Sequence, residues 1–176
     1  MNGRMDLAVL YGGKTAVHGL QFLALLKEPL YLVGPPGMPQ PPEEVPLRTL
    51  GETDLYLARP YNIVRKMVDE AFAGAGMAPR VVAEIESAST LTAVIADGLG
   101  ATILPASMAR EVVASCGAWQ FQIVEPVIEA PLALCQSDHL PLSEPAQAVK
   151  SILLELVVDL AGTFAATPEP GLAALS

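Results

Sequence analysis

Positive charge, cysteine and histidine are all scarce in this 176-residue chain. Ten Lys and Arg against nineteen Asp and Glu leave a formal net charge of −9. The basic residues are scattered, and after Arg110 only Lys150 remains. Nucleic-acid phosphates are gripped by clustered Lys and Arg, so direct binding of DNA or RNA by these residues is disfavoured. Attraction to an anionic membrane surface is disfavoured for the same reason. Cys116 and Cys135 stand 19 residues apart with no C-x-x-C, which reads as two buried free thiols in a reducing cytoplasm. The two histidines, His18 and His139, lie at no ligand spacing from a cysteine, so no metal site is expected. No secretory signal is apparent at Met1. No apolar run reaches the roughly 18 residues of a membrane span, and the best candidate, Ile152–Ala161, is broken by Glu155 and Asp159.

What is abundant is apolar surface. The chain is 52% hydrophobic and 16% charged, with mean hydropathy +0.43, enough for a sizeable core in one domain or two small lobes. Leu7–Tyr11 reads as a buried strand of a parallel sheet. Val17–Leu26 is ambiguous and helix-like, and Pro29–Gly34 reads as a strand. Five prolines between Pro35 and Pro42 then force an exposed loop, with a polyproline ligand as the alternative use. Leu55–Ala58 is a strand. Asn62 caps a helix over Ile63–Ala73 whose apolar positions Ile63, Val64, Met67, Val68, Ala71 and Phe72 follow the 3.6-residue period. Arg80–Ile85 is a strand, and Ser87 or Ser89 caps a helix burying Leu91, Val94 and Ile95. Ala101–Leu104 (strand), Ser107–Ser115 (helix), Trp119–Val124 and Leu132–Cys135 (strands) follow. The last helix, capped by Ser143 or Glu144, carries a stripe of Ala146, Val149, Ile152, Leu153, Leu156, Val157 and Leu160. Strands alternating with helices between residues 55 and 125 predict an α/β fold with a largely parallel sheet. Two lobes joined by two crossings, near 55–58 and 126–131, fit this order, with a ligand cleft between them.

No convincing catalytic constellation emerges. G-x-S-x-G is absent, and three adjacent residues, Ser137-Asp138-His139, cannot take up triad geometry. Glu84 and Glu86 share a strand face at a separation that could suit an acid–base pair; a structural role for each is the simpler reading. Gly98-Leu99-Gly100 resembles half of a dinucleotide fingerprint, but its helix precedes it, so it reads as a helix end and a tight turn. The helix starts at Asn62 and Ser87–Thr90 are better ligand candidates, because backbone N–H groups and the helix dipole there favour an anion.

Glu84, Ser87-Ala88-Ser89-Thr90, Gly98-Leu99-Gly100 and Leu104-Pro105 occur in an order that resembles the effector-binding domain of LysR-type transcriptional regulators. Gly3-Arg4-Met5-Asp6-Leu7-Ala8-Val9, Pro29–Val33, Ala75–Pro79, Glu125-Pro126 and Pro141-Leu142-Ser143 extend the resemblance over residues 3–161. Arg59–Arg65 is similar to a branch related to nitrogen-assimilation regulators. The resemblance implies a two-lobed, type II periplasmic-binding-protein-like fold whose first lobe (1–57 and 127–164) is incomplete, a second lobe over 58–126, and a flexible tail over 165–176. It implies a ligand-sensing, non-enzymatic, cytoplasmic domain without cofactor or metal. A small, anionic effector would contact Tyr11, Gly12, Arg59, Pro60, Asn62, Ser87, Ser89, Thr90 and Thr102. The helix-turn-helix domain of such regulators is missing from this sequence, as is the first β-α-β-α stretch, so the chain is expected to be a fragment. DNA and a homo-oligomer, dimer or tetramer, would be partners of the full-length protein. A free-standing small-molecule binder of the same architecture is the alternative, and an enzyme on this fold a third class.

An incomplete first lobe would expose apolar surface from Leu7–Tyr11, Leu30–Val33 and the last helix, and such patches promote association. The chain is therefore expected to self-associate in sedimentation velocity; a monodisperse monomer would contradict this.

Overall fold

The computed structural model describes residues 6–12, 18–41, 43–163 and 166–168. In chain order its elements are β1 (Leu7–Tyr11), β2 (Leu20–Gly34), β3 (Val45–Pro46), a 3-10 turn (Leu47–Leu50), β4 (Leu55–Leu57), α1 (Ile63–Gly74), β5 (Val81–Glu84), α2 (Ala88–Ala96), β6 (Thr102–Pro105), α3 (Ala106–Cys116), β7 (Trp119–Val124), β8 (Glu129–Ser137), α4 (Glu144–Thr163) and β9 (Thr167–Pro168). The helix-like reading of Val17–Leu26 is overturned over its described part, because residues from Leu20 onward belong to one long strand. An unbroken apolar run carries no period that separates helix from strand, so its pairing partners decide.

The chain forms two units, Met1–Glu28 with Pro131–Ser176, and Pro29–Ala130. These differ from the lobes expected from the sequence, which divided at 57/58 and 126/127. Residues 29–57 join the second unit because their backbone bonds lie there. Leu30–Val33 pair with β6, Tyr31–Gly34 with β7, Val45–Pro46 with β7, and Leu55–Leu57 with β5.

In the first unit β1 runs antiparallel to β8, Leu7 opposite Gln136 and Tyr11 opposite Leu132. The expectation of a buried parallel strand is corrected on both counts, since Val9 is exposed and its neighbours are half-buried. Leu25, Leu26, Leu134, Val157 and Ala166 form the core, with Leu153 and Leu154 packed against it. The stripe expected on α4 splits. Ala146 and Val157 are buried, whereas Val149, Ile152 and Leu156 are 49%, 56% and 46% exposed. Leu153, Leu154 and Val157 share one face of the helix, and the exposed three fall on the adjoining strip. Of Leu160 only the backbone is described, and most of the predicted tail lies outside the described residues, but Thr167 and Pro168 pair with Lys27 and Leu26. Ser137–Leu140 is a turn: Ser137 Oγ accepts the N–H groups of His139 and Leu140 at 3.3 and 3.2 Å, which removes it from any triad.

In the second unit β4 and β5 are parallel, Leu55 opposite Val81 and Leu57 opposite Glu84. On its other side β4 meets the start of β6: Leu55 bridges Ala101 in parallel, and the Tyr56 N–H donates to the Ala101 carbonyl at 2.9 Å. The β4-α1-β5-α2-β6 segment thus has the expected parallel form. The rest does not, because β2 is antiparallel to both β6 and β7. Flanked on both sides, β2 buries Leu30, Leu32 and Val33, contrary to the expected exposure of that stretch. Val33, Leu91, Ile95, Leu104, Ala109, Val112 and Ala118 make one cluster, and α1 buries Val68 and Phe72.

Gly34, at the end of β2, lies against the Trp119 indole so closely that a Cβ there would overlap the ring. This approach lets Trp119 Nε1–H donate to the Met38 carbonyl at 3.1 Å, fastening the proline-rich loop to β7. Gly34→Ala should therefore displace the ring and cost about 1–3 kcal/mol, the range for overpacking. Urea unfolding followed by the fluorescence of the single tryptophan measures this; an unchanged midpoint and emission maximum would refute it.

Candidate ligand-binding site

Parallel strands place their carboxyl ends at the same edge, and here β4 and β5 end side by side. The Ile85 N–H donates to the Leu57 carbonyl at 2.8 Å, and the Arg59 N–H to Glu86 Oε1 at 2.9 Å. The two chains then turn into helices. After β4, the Asn62 N–H closes the Arg59–Asn62 turn on the Arg59 carbonyl at 2.9 Å. Asn62 Oδ1 accepts the N–H groups of Val64 and Arg65 at 2.9 and 3.3 Å, capping α1 and leaving its side-chain amide N–H₂ as a donor. After β5, Ser87 caps α2: its Oγ accepts the Thr90 N–H at 3.4 Å and lies 3.0 Å from Ser89 Oγ. The choice between Ser87 and Ser89 as cap is thereby resolved. Ser87, Ser89 and Thr90 are exposed, as are Arg59 and Pro60.

Six of the nine predicted site residues, Arg59, Pro60, Asn62, Ser87, Ser89 and Thr90, thus belong to two turns at one strand edge. Thr102, the first residue of β6, is 1% exposed, and its Oγ1 has no hydrogen-bond partner among the described residues. Tyr11 and Gly12 belong to the first unit. The Tyr11 hydroxyl donates to Glu28 Oε1 at 3.3 Å, and the Gly12 N–H to the Pro131 carbonyl at 2.7 Å. One pocket of that unit, of about 360 Å³ and lined by Gln21, Phe22, Leu23, Gln136, Lys150 and Leu154, contains none of the predicted residues.

Other sequence candidates take structural roles. Glu86 holds the Arg59 N–H, and Glu84 Oε1 stands 3.6 Å from Arg65 Nη1, so neither carboxylate is poised as half of an acid–base pair. Gly98 ends α2 with φ +76°, and a Cβ on Gly100 would stand 2.7 Å from the Tyr56 ring and 3.0 Å from the Asp54 carbonyl. Gly98-Leu99-Gly100 is thus a helix end and a close strand entry. Cys116 and Cys135 are free, Cys135 buried as expected but Cys116, at the end of α3, only half-buried, and no cluster of three metal-ligating side chains occurs among the described residues. No described helix is long and apolar enough to cross a membrane. Sequence reasoning passed over the Arg65 side chain, although an Arg in the first turn of a helix opposes the helix dipole and so calls for a tertiary partner.

A family model for the LysR substrate binding domain matches residues 1–157. Over 155 residues the chain is 44% identical to the nitrogen assimilation regulatory protein Nac of Klebsiella aerogenes, covering 88% of this chain and 50% of that protein. Over 157 residues it is 37% identical to the Nac protein of Escherichia coli K12, covering 89% and 50%. The chain spans about half the length of these curated relatives. Its fold is similar to the effector-binding domain of QuiR in complex with shikimate (TM-score 0.71, 19% identity, covering 88% of this chain and 72% of that one). It is also similar to the regulatory domain of Synechocystis PCC6803 CcmR in complex with 2-PG (TM-score 0.72, 18% identity, 86% and 73%). These likenesses bear out the two-lobed, periplasmic-binding-protein-like fold class expected from the sequence. The matched family and the curated relatives are of regulators, and no catalytic family is indicated.

Replacing Asn62 with Ala should remove the α1 cap and lower stability by about 1 kcal/mol. Asn62→Asp, which keeps the acceptor, should lose much less. Urea midpoints read through Trp119 separate the two; equal midpoints for Ala and wild type would show that the cap does not stabilise α1.

Proposed function

Since the chain belongs to the LysR substrate binding domain family, we propose that it senses a small anionic effector for a transcription regulator and passes that signal to a DNA-binding domain outside this sequence. The observation that carries the reading is the pair of capped helix starts, Asn62 and Ser87, at the adjoining ends of β4 and β5. Each presents backbone N–H groups and the positive end of a helix dipole, so two such ends at one edge favour a carboxylate or phosphate. The exposed hydroxyls of Ser87, Ser89 and Thr90 and the Asn62 amide add uncharged donors, and Arg59 supplies a guanidinium that pairs bidentately with a carboxylate. Pro60 stiffens the turn, and Thr102, with its unpartnered Oγ1, is a further contact.

The effector acts by binding one conformation more tightly than another; a ligand with equal affinity for both shifts nothing. The regulator is a homo-oligomer in this reading, and its DNA contacts come from the segment beyond the present sequence. The test is a titration of the ¹⁵N-labelled chain with a panel of small carboxylates and phosphates. One member should shift the amides of Asn62–Arg65 and Ser87–Leu91, and Ser87→Ala with Thr90→Val should weaken it about tenfold or more, as for lost hydrogen bonds to a charged group. Shifts confined to other residues would contradict the site. A tight ligand that leaves DNA affinity, DNA bending and transcription unchanged in the full-length regulator would contradict the signalling role.

A further inference from the structure

Arg65 is the third residue of α1, where a cation faces the positive end of the helix dipole. Local electrostatics disfavour it there, yet its side chain is only 10% exposed. Its guanidinium is engaged through Nε and Nη1. Nε donates to both carboxylate oxygens of Asp69, at 2.9 and 3.0 Å, one helical turn onward. Nη1 donates to the Ala58 carbonyl at 2.8 Å and stands 3.6 Å from Glu84 Oε1. Ala58 is the first residue past β4, immediately before the Arg59–Asn62 turn. Glu84 is the last residue of β5, three before the Ser87 cap. One side chain therefore ties the exit of β4 to the exit of β5 while Asp69 fixes its orientation.

We propose that Arg65 is a positioning residue for the ligand site: it sets the spacing between the Arg59–Asn62 turn and the Ser87–Thr90 turn without touching the ligand. The inference rests on the reading that these two turns receive the effector. Glu86 is the complementary support, holding the Arg59 N–H from the other turn. The planar fork of an arginine serves Asp69, Ala58 and Glu84 together; the single ammonium of a lysine does not reproduce that geometry.

The experiment compares the whole chain with Arg65→Lys and Arg65→Met, the latter keeping the apolar stem. Solvent exchange of individual amides is followed by NMR. The Arg59 N–H, bonded to Glu86, and the Asn62 N–H, bonded to the Arg59 carbonyl, should exchange at least tenfold faster in both variants. Those of Val68, Phe72 and Ile103 should stay within twofold of wild type. Unchanged exchange at Arg59 and Asn62 would overturn the proposal, as would acceleration throughout the unit, which would make Arg65 a general structural residue. The panel member that shifts Ser87–Thr90 most is then titrated into the variants. It should bind at least fivefold more weakly to both, and wild-type affinity in either would also overturn the positioning role. If no member of the panel shifts those residues in the wild type, the ligand reading falls, and the exchange data still decide whether Arg65 holds the turn.

Discussion

The parallel alignment of β4 with β5 is the constraint on which the candidate site depends. Parallel neighbours need a crossover, and α1 supplies it over Ile63–Gly74. Because both strands run the same way, both leave the sheet at one edge, and each turns there into a helix. The two helix starts meet only because Leu57 stands opposite Glu84. A shift of one residue would move Glu86 away from the Arg59 N–H and reverse the facing of every side chain on the strand.

Around that alignment the sequence resolves several local conflicts in favour of the site. Asn62 and Ser87 are poor residues for a helix interior and good ones for its first position, where their oxygens satisfy N–H groups the helix cannot. Arg65 is unfavourable near a helix start and is held by Asp69, Ala58 and Glu84. The two turns are therefore ordered by the chain's own hydrogen bonds, and a ligand that bound there would meet a low ordering cost. The buried support lies behind them: Leu55 and Leu57 of β4, Phe72 of α1 and Ile95 of α2 are at most 3% exposed.

Much of this was legible in the sequence, and the exceptions share a cause. Asn62 before an apolar-periodic stretch announces α1, the Ser87/Ser89 pair announces α2, and Gly98 announces the end of α2, because each signal is local. The order of Glu84, Ser87–Thr90, Gly98–Gly100 and Leu104-Pro105 identified the family before any coordinates. Leu20–Leu26 reads as ambiguous because an apolar run becomes strand or helix according to what pairs with it, and the sheet neighbours of this part of β2, β8 and β9, lie far along the chain. The direction of β1 was misread for the same reason: alternation and apolarity report a face, and the partner strand sets the sense. On α4, periodicity marked Val149, Ile152 and Leu156 as apolar but carried no information on which part of a wide stripe meets the core. The role of Arg65 was invisible because Glu84 is 19 residues further on and Ala58 offers only its backbone.

The account stands on the two strand exits being held together in solution. A nuclear Overhauser effect between the Arg59 amide proton and the Glu86 γ-methylene, measured on the ligand-free chain, tests this most directly. The hydrogen bond from Arg59 to Glu86 Oε1 predicts a clear cross-peak. Its absence, with the Ile85 amide still close to Leu57, would mean that the strands pair but the turns are not joined, and the site as described would not exist before ligand arrives.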